Sequence, residues 1–365
     1  MPDTGPLRPA PVHGPVFIIG AMGSGSTLLR LILDSHDNIA IPRETGFMRA
    51  YNAHQFIPYK WSGRNWAKRM GWSRKELDEE LARFYDRIFM RNVERQGKQR
   101  WGDKTPYHTW HVDDMARLFP EAVFVGIVRH PGACVGSNMS RWGHTVTQAA
   151  YHYARYNREI ARQAAQVGER FAIVRYEDLV LRPEALLREL LDWLGEPWSP
   201  NVLAHHTVQG ARGGRVKVEG RSRVDEPIDT SRISKWTKRM TERQRAVLRR
   251  RLGELGAFYG YDVDDAEGLT PLREGSLIAA GPDIDARIER HAHLDLRTQG
   301  SVPVADRLYD PRKVGVRTLE ALAELKRPPK PSAPRRVALA AWSRTPERVR
   351  GPVRRVVRRA RALSR

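Results

Sequence analysis

The sequence predicts an α/β fold: a phosphate-loop-type parallel sheet flanked by helices on both faces and followed by a basic C-terminal tail. Three observations carry this. An apolar strand, a glycine bend and a helical pattern follow one another directly in residues 16–33. Apolar strand segments then keep alternating with amphipathic helical ones, as a parallel sheet covered on both faces requires. Near residue 326 the apolar pattern gives way to proline and arginine.

The first strand is Val16 to Ile19. Glycines at 20, 23 and 25 let the chain turn its amides inward, and the helix that opens at Ser26 and runs through Leu29, Leu31 and Leu33 adds unpaired N–H groups and a positive dipole end. Such a bend is an anion cradle or, more plainly, a tight strand-to-helix connection. Set against GxxxxGK[ST], Gly20, Gly25 and Thr27 fit, but Ser26 stands where the lysine belongs. That counts against a kinase or other nucleoside triphosphatase.

A short apolar stretch, Ile39 to Ile41, ends at Pro42 and leads to Glu44, a carboxylate placed for chemistry beside the cradle or else a solvated loop acid. Residues 51–72, rich in Trp, Tyr and Lys without a period, read as an irregular insert on the substrate side. Ser73 caps a long helix, with Glu76 completing a capping box and Leu77, Leu81, Phe84, Ile88 and Phe89 as its expected buried stripe. The run RWGDKTPYH carries Lys104 and leads into an amphipathic helix through Met115 to Leu118.

A second strong strand, Ala122 to Val128, ends in Arg129 and His130, and Pro131 opens the next helix. Ser137 lies about two turns along it, where it and Arg129 can converge on one anion. A helix from Thr147 to about Val167 follows, then a strand from Phe171 to Arg175 running into Tyr176, then a helix opened by Pro183 and closed at Gly195. Residues 210–223 form a glycine and arginine loop, and Thr241 caps a last helix with Val247, Leu248, Leu252 and Leu255 in period. The expected organisation is a flexible N-terminus (1–14), a body (15–262), an extension (263–328) and a basic tail (329–365).

At 365 residues and 41% hydrophobic content the chain can bury a full core. No apolar run reaches the roughly 18 residues of a membrane span, and the N-terminus lacks the basic and apolar regions of an export signal, which points to the cytoplasm. The single cysteine, Cys134, excludes an intrachain disulfide and argues against a structural zinc site, and no metal is expected. Of the net charge of +21, well over half lies between Lys326 and Arg365, which hold 14 basic residues and one acid. There Val349, Val353, Val356, Val357, Ala360 and Leu363 share a helical face opposite arginines. The segment suits an anionic bilayer at the inner membrane face, or is a solvated tail; specific nucleic-acid binding is not expected.

Together GAMGSGSTLL, IPRETGF, WGDKTP, VRHPGACVGS and RYEDLVLRPEALLRELLDWLG, in this order and spacing, resemble the sulfotransferases that use 3′-phosphoadenosine 5′-phosphosulfate (PAPS), in the branch that includes bacterial enzymes and protein-tyrosine sulfotransferases. The resemblance covers about Phe17 to Tyr261. It implies that the loop of Gly23, Ser24, Gly25, Ser26 and Thr27 holds the 5′-phosphosulfate, that Arg129 and Ser137 hold the 3′-phosphate, and that Tyr176 meets the adenine side. It further implies Glu44 as base, Lys104 as the cation at the leaving phosphosulfate, and Ser222 and Lys235 as a later cofactor-binding pair. The family loop usually reads PRSGTT, whereas Met22 and Gly23 stand here in place of Pro-Arg. Arg43 is the first candidate to replace the lost charge and Arg30 the second.

The implied reaction is in-line sulfuryl transfer to a hydroxyl or amine of a small-molecule, glycan, lipid or peptide acceptor. Should Glu44 not be the base, His108 or His130 is next. The rival readings are a P-loop nucleotide-binding protein or kinase, and an inactive membrane or nucleic-acid adaptor on the same fold.

Overall fold

A computed structural model describes residues 14–59, 65–211, 226–265, 277–279 and 282–294. Ser222 and the basic tail lie outside these residues. No helix among them is long and apolar enough to cross a membrane.

The strands are β1 (Val16–Gly20), β2 (Ile39–Ala40), β3 (Arg100–Lys104), β4 (Val123–Val128), β5 (Phe171–Arg175) and β6 (Ile278–Ala279), in the order β2-β3-β1-β4-β5-β6. The first five in that order run parallel, and β6 joins β5 antiparallel. β1 is therefore central, and every residue in it is buried.

Alternation along the strands divides the core in two. Phe17, Ile19, Phe124 and Phe171 face one side, with α2 (Phe47–Tyr59), α4 (Arg74–Arg95), α5 (Val112–Leu118), α6 (Pro131–Trp142), α7 (Val146–Val167), α11 (Glu242–Phe258) and α12 (Pro282–Arg290) supplying its partners. Val16, Ile18, Val125, Ile127 and Val174 face the other, against α1 (Ser26–Asp34), α8 (Tyr176–Leu181) and α9 (Pro183–Leu194). Two shorter helices, α3 (Trp66–Arg69) and α10 (His205–Ala211), complete the set described. On the first side the rings of Phe17 and Phe124 stack with centroids 5.5 Å apart, and Phe89 stacks on Trp101 at 4.2 Å.

The start and stop signals act as anticipated. Ser73 and Thr241 form capping boxes at α4 and α11, Pro131 and Pro183 open α6 and α9, and Gly195 closes α9 in the left-handed conformation.

Elsewhere the structure corrects the sequence reading. Residues 51–59 are not irregular: they continue α2, with Tyr51 buried and its hydroxyl donating to Asp78 at 2.9 Å. The expected stripe of α4 is rotated. Phe89 is buried as expected and Leu81 packs against the core, but Phe84 and Ile88 are about half exposed and Asp78, Tyr85 and Val93 are buried in their place, the Arg117 and Tyr51 groups satisfying the Asp78 carboxylate inside. β3 was not anticipated at all. Arg-Trp-Gly-Asp-Lys lacks an apolar strand pattern, yet all five residues are buried, with Arg100 reaching the Leu194 carbonyl at 2.7 Å and Glu196 at 3.1 Å. The packed unit also continues past Tyr261, since β6 extends the sheet and Ile284, Ile288 and Leu294 enter the first core. Two-residue strands and a nine-residue helix give too little pattern to be read alone.

Candidate active site

Because β1, β3, β4 and β5 are parallel, their carboxyl ends lie along one edge of the sheet. The glycine bend leaves β1 there, β3 ends in Lys104, Arg129 follows β4 and Tyr176 follows β5. The topology thus gathers residues up to about 150 positions apart in the chain.

In the bend Gly23 and Gly25 have φ of +87° and +102°. A side chain at Gly25 would begin 2.4 Å from the Tyr176 ring, and one at Gly23 would begin 3.0 Å from the Asn138 amide nitrogen. An arginine at position 23, where the family loop carries one, would be strained in this geometry. The bend is fixed from below: Asn138 Nδ2 donates to the Met22 carbonyl at 2.8 Å and the Cys134 thiol donates to it at 3.3 Å. No side chain caps α1, so its first amide groups remain for an anion.

Gly23, Gly25, Ser26, Thr27, Arg129, Ser137 and Tyr176 line one cleft. Arg129 is held in it on three sides. Its Nη1 donates to the Gly23 carbonyl at 3.1 Å, its Nη2 donates to the Arg232 carbonyl at 2.9 Å, and its guanidinium lies 4.2 Å from the centre of the Tyr176 ring. Its buried Nε and the buried Ser24 Oγ have no hydrogen-bond partner within the protein. Two more cations line the same cleft, Arg141 and Arg232. Burial, and then the like charges of Arg232 and Arg129, hold the Arg141 guanidinium below its ordinary value. Glu226 and Asp229 also line the cleft; three arginines against two acids, with buried donors that lack partners and an uncapped helix start, leave it suited to a doubly charged nucleotide of the bisphosphate kind.

At the other side of the loop Lys104 is buried while Glu44 is half exposed. The Lys104 ammonium forms an ion pair with Glu44 and lies 3.4 Å from Thr27 Oγ1, so one cation links the anion loop to the carboxylate. Burial lowers the pKa of Lys104, with the Glu44 charge acting against that shift. Of the two arginines expected near this point, Arg43 is exposed, whereas Arg30 is buried with Nη1 on the Ile41 carbonyl at 3.0 Å.

The reserve bases have structural places. His130 accepts from the Gly132 amide at 3.1 Å, contacts the Asp262 carbonyl at 2.9 Å and stacks on Trp236. Burial holds its imidazole below the ordinary value, which suits a neutral ring that caps α6. His108 is buried between Asp103 and Phe47. Lys235 turns to Ser231 Oγ at 2.9 Å on an exposed surface, and it is Arg232, three residues earlier, that lines the cleft. Sequence reasoning missed Arg141 and Arg232. Arg141 had a signal, being four residues beyond Ser137 on the same helical face. Arg232 had none.

The family model described as "Sulfotransferase family" matches residues 15–200. The chain belongs to the sulfotransferase family. It is 30% identical over 259 residues to protein-tyrosine sulfotransferase 1 of Danio rerio, covering 66% of this chain and 71% of that protein. It is 31% identical over 262 residues to protein-tyrosine sulfotransferase 1 of Homo sapiens, covering 66% and 69%. Among solved structures the sulfotransferase domain of the Synechococcus PCC 7002 olefin synthase aligns with a TM-score of 0.47 and 22% identity, over 80% of this chain and 97% of that one.

Proposed function

We propose that this sulfotransferase moves a sulfuryl group from PAPS to an acceptor hydroxyl by in-line displacement, with Glu44 as base and a peptide tyrosine as the leading acceptor. One observation carries the reading: Lys104 links Thr27, in an uncapped glycine bend that shares a cleft with Arg129 and Ser137, to the Glu44 carboxylate. The donor supplies the activated sulfuryl group. Loop amides, Ser26 and Thr27 hold its phosphosulfate end, while Arg129, Ser137, Arg141 and Arg232 hold the 3′-phosphate and Tyr176 the base.

Glu44 is exposed enough to meet an acceptor and takes its proton, a role worth roughly 100- to 10,000-fold in rate. On protonation it ceases to hold Lys104, whose ammonium keeps Thr27 on the loop side. Loss of one such donor typically costs about 3 to 4 kcal/mol in the transition state, and Lys104 is the cation placed beside the transferring group. The tyrosine acceptor is supported by the relatives, which are named for it. A kinase reading is disfavoured by Ser26 in the lysine position.

Calorimetry with adenosine 3′,5′-bisphosphate and a transfer assay with labelled donor and a tyrosine peptide test both halves. Arg129→Ala is expected to lose nucleotide affinity by at least tenfold, about 1.4 kcal/mol, and Glu44→Gln to keep that affinity while turnover drops by about 100-fold or more. Equal affinity in the first variant removes the 3′-phosphate site. Near-full turnover in the second moves the base elsewhere.

A further inference from the structure

Asp103 is fully buried at the end of β3, next in sequence to Lys104, and points away from it as strand alternation requires. Three side chains surround its carboxylate. Thr45 Oγ1 donates to Oδ2 at 2.7 Å, Thr105 Oγ1 donates to Oδ1 at 2.9 Å, and His108 Nδ1 lies 2.9 Å from the same Oδ1. The two threonines carry the network into the next turn: the Gly46 amide donates to Thr105 Oγ1 at 3.2 Å and the Phe47 amide donates to Thr45 Oγ1 at 3.3 Å, where α2 begins.

This arrangement has a consequence for the pair above it. Thr45 follows Glu44 and Asp103 precedes Lys104. The part-buried Thr45–Asp103 bond therefore joins the neighbours of the two groups that pair across the site. We propose that Asp103, through Thr45, is a positioning residue that fixes the Glu44 turn at the distance from Lys104 which the reaction needs. The proposal rests on the reading of Glu44 and Lys104 as the working pair. Glu44 is half exposed and follows Arg43 and precedes Thr45 in an exposed run, so little else orders its turn. A buried carboxylate is kept only with bonding partners, and one of those Asp103 has is Thr45 of the Glu44 turn.

Asp103 also acts on Lys104 through charge. Burial is the main cause that lowers the Lys104 pKa, and Asp103 is among the acids that oppose it. The two effects separate by variant. Thr45→Val breaks the tether and leaves the charge, Thr45→Ser restores the tether, and Asp103→Asn removes the charge.

In the transfer assay with labelled donor and a tyrosine peptide, Thr45→Val is expected to lower kcat by about 10- to 100-fold, since misplacement by an ångström costs on that order. Its affinity for adenosine 3′,5′-bisphosphate should stay at the wild-type value, which also shows that it folds. Thr45→Ser should return kcat to the wild-type level. Asp103→Asn should move the alkaline limb of kcat to lower pH, and nuclear magnetic resonance of labelled lysines should show the Lys104 pKa falling in that variant but not in Thr45→Val. Full kcat in Thr45→Val, beside a Glu44→Gln variant that has lost it, overturns the tether while leaving the proposed reaction standing. A wild type that labels no acceptor removes the proposed reaction instead, and the Lys104 titration then decides the Asp103 effect by itself: an unmoved pKa in Asp103→Asn sinks it.

Discussion

The ammonium of Lys104 is the residue on which the two halves of the site meet. Burial disfavours its charged form, so it releases its proton more readily than an ordinary lysine, whose value is 10.5. Catalysis that needs the charged form is present below the folded pKa and lost as pH rises through it. The alkaline limb of kcat is therefore expected below pH 10.5, and a pH–rate profile with the tyrosine peptide checks it. In stability terms the sign is opposite: the unfolded state binds the extra proton between the two pKa values, so this group's contribution grows more favourable with rising pH there. That Lys104 and Glu44 lie near the bend, and that Arg129 and Ser137 share its cleft, was legible in the sequence from their motifs. That Arg30, not Arg43, is the buried one was not, because a helical arginine shows no sign in sequence of whether it folds inward or outward.

At the scale of the element, the bend between β1 and α1 was the most legible part of the chain. Three glycines between a buried strand and an amphipathic helix admit few shapes. What the pattern could not disclose was the reason for each glycine. Gly25 needs both its left-handed φ and the absence of a side chain against Tyr176, a residue about 150 positions away. Gly25→Ala is thus expected to abolish detectable adenosine 3′,5′-bisphosphate binding by calorimetry, as the alanine strains the backbone and displaces Tyr176 from Arg129 together. β3 was illegible for the converse reason. Its polar side chains look like a loop until Asp86 and the more distant Glu196 and Leu194 carbonyl are seen to satisfy them.

For the molecule as a whole, the alternation of strands and helices foretold the parallel sheet with two covered faces, and the boundary near Tyr261 was set too early. Ile284, Ile288 and Leu294 cover part of the first core, and Arg287 donates to the Phe258 carbonyl at 2.7 Å. Fully burying an aliphatic side chain is worth about 1.5 to 3 kcal/mol, so three of them amount to a large share of a typical domain stability of about 5 to 15 kcal/mol. A chain ended after residue 262 is expected to melt many degrees below the full-length protein in differential scanning calorimetry; an unchanged melting temperature would show that the later segment is dispensable.

The single edge at which four parallel strands deliver their last residues sets one more condition. Each strand contributes a different part of the grip, and the outermost contributor, β5, pairs only with β4 and the two-residue β6. No single strand and its following loop contains the whole grip, which spans the chain from Gly23 to Arg232. A nucleotide that needs all of these groups at once would then bind only where β1, β3, β4 and β5 are all in register.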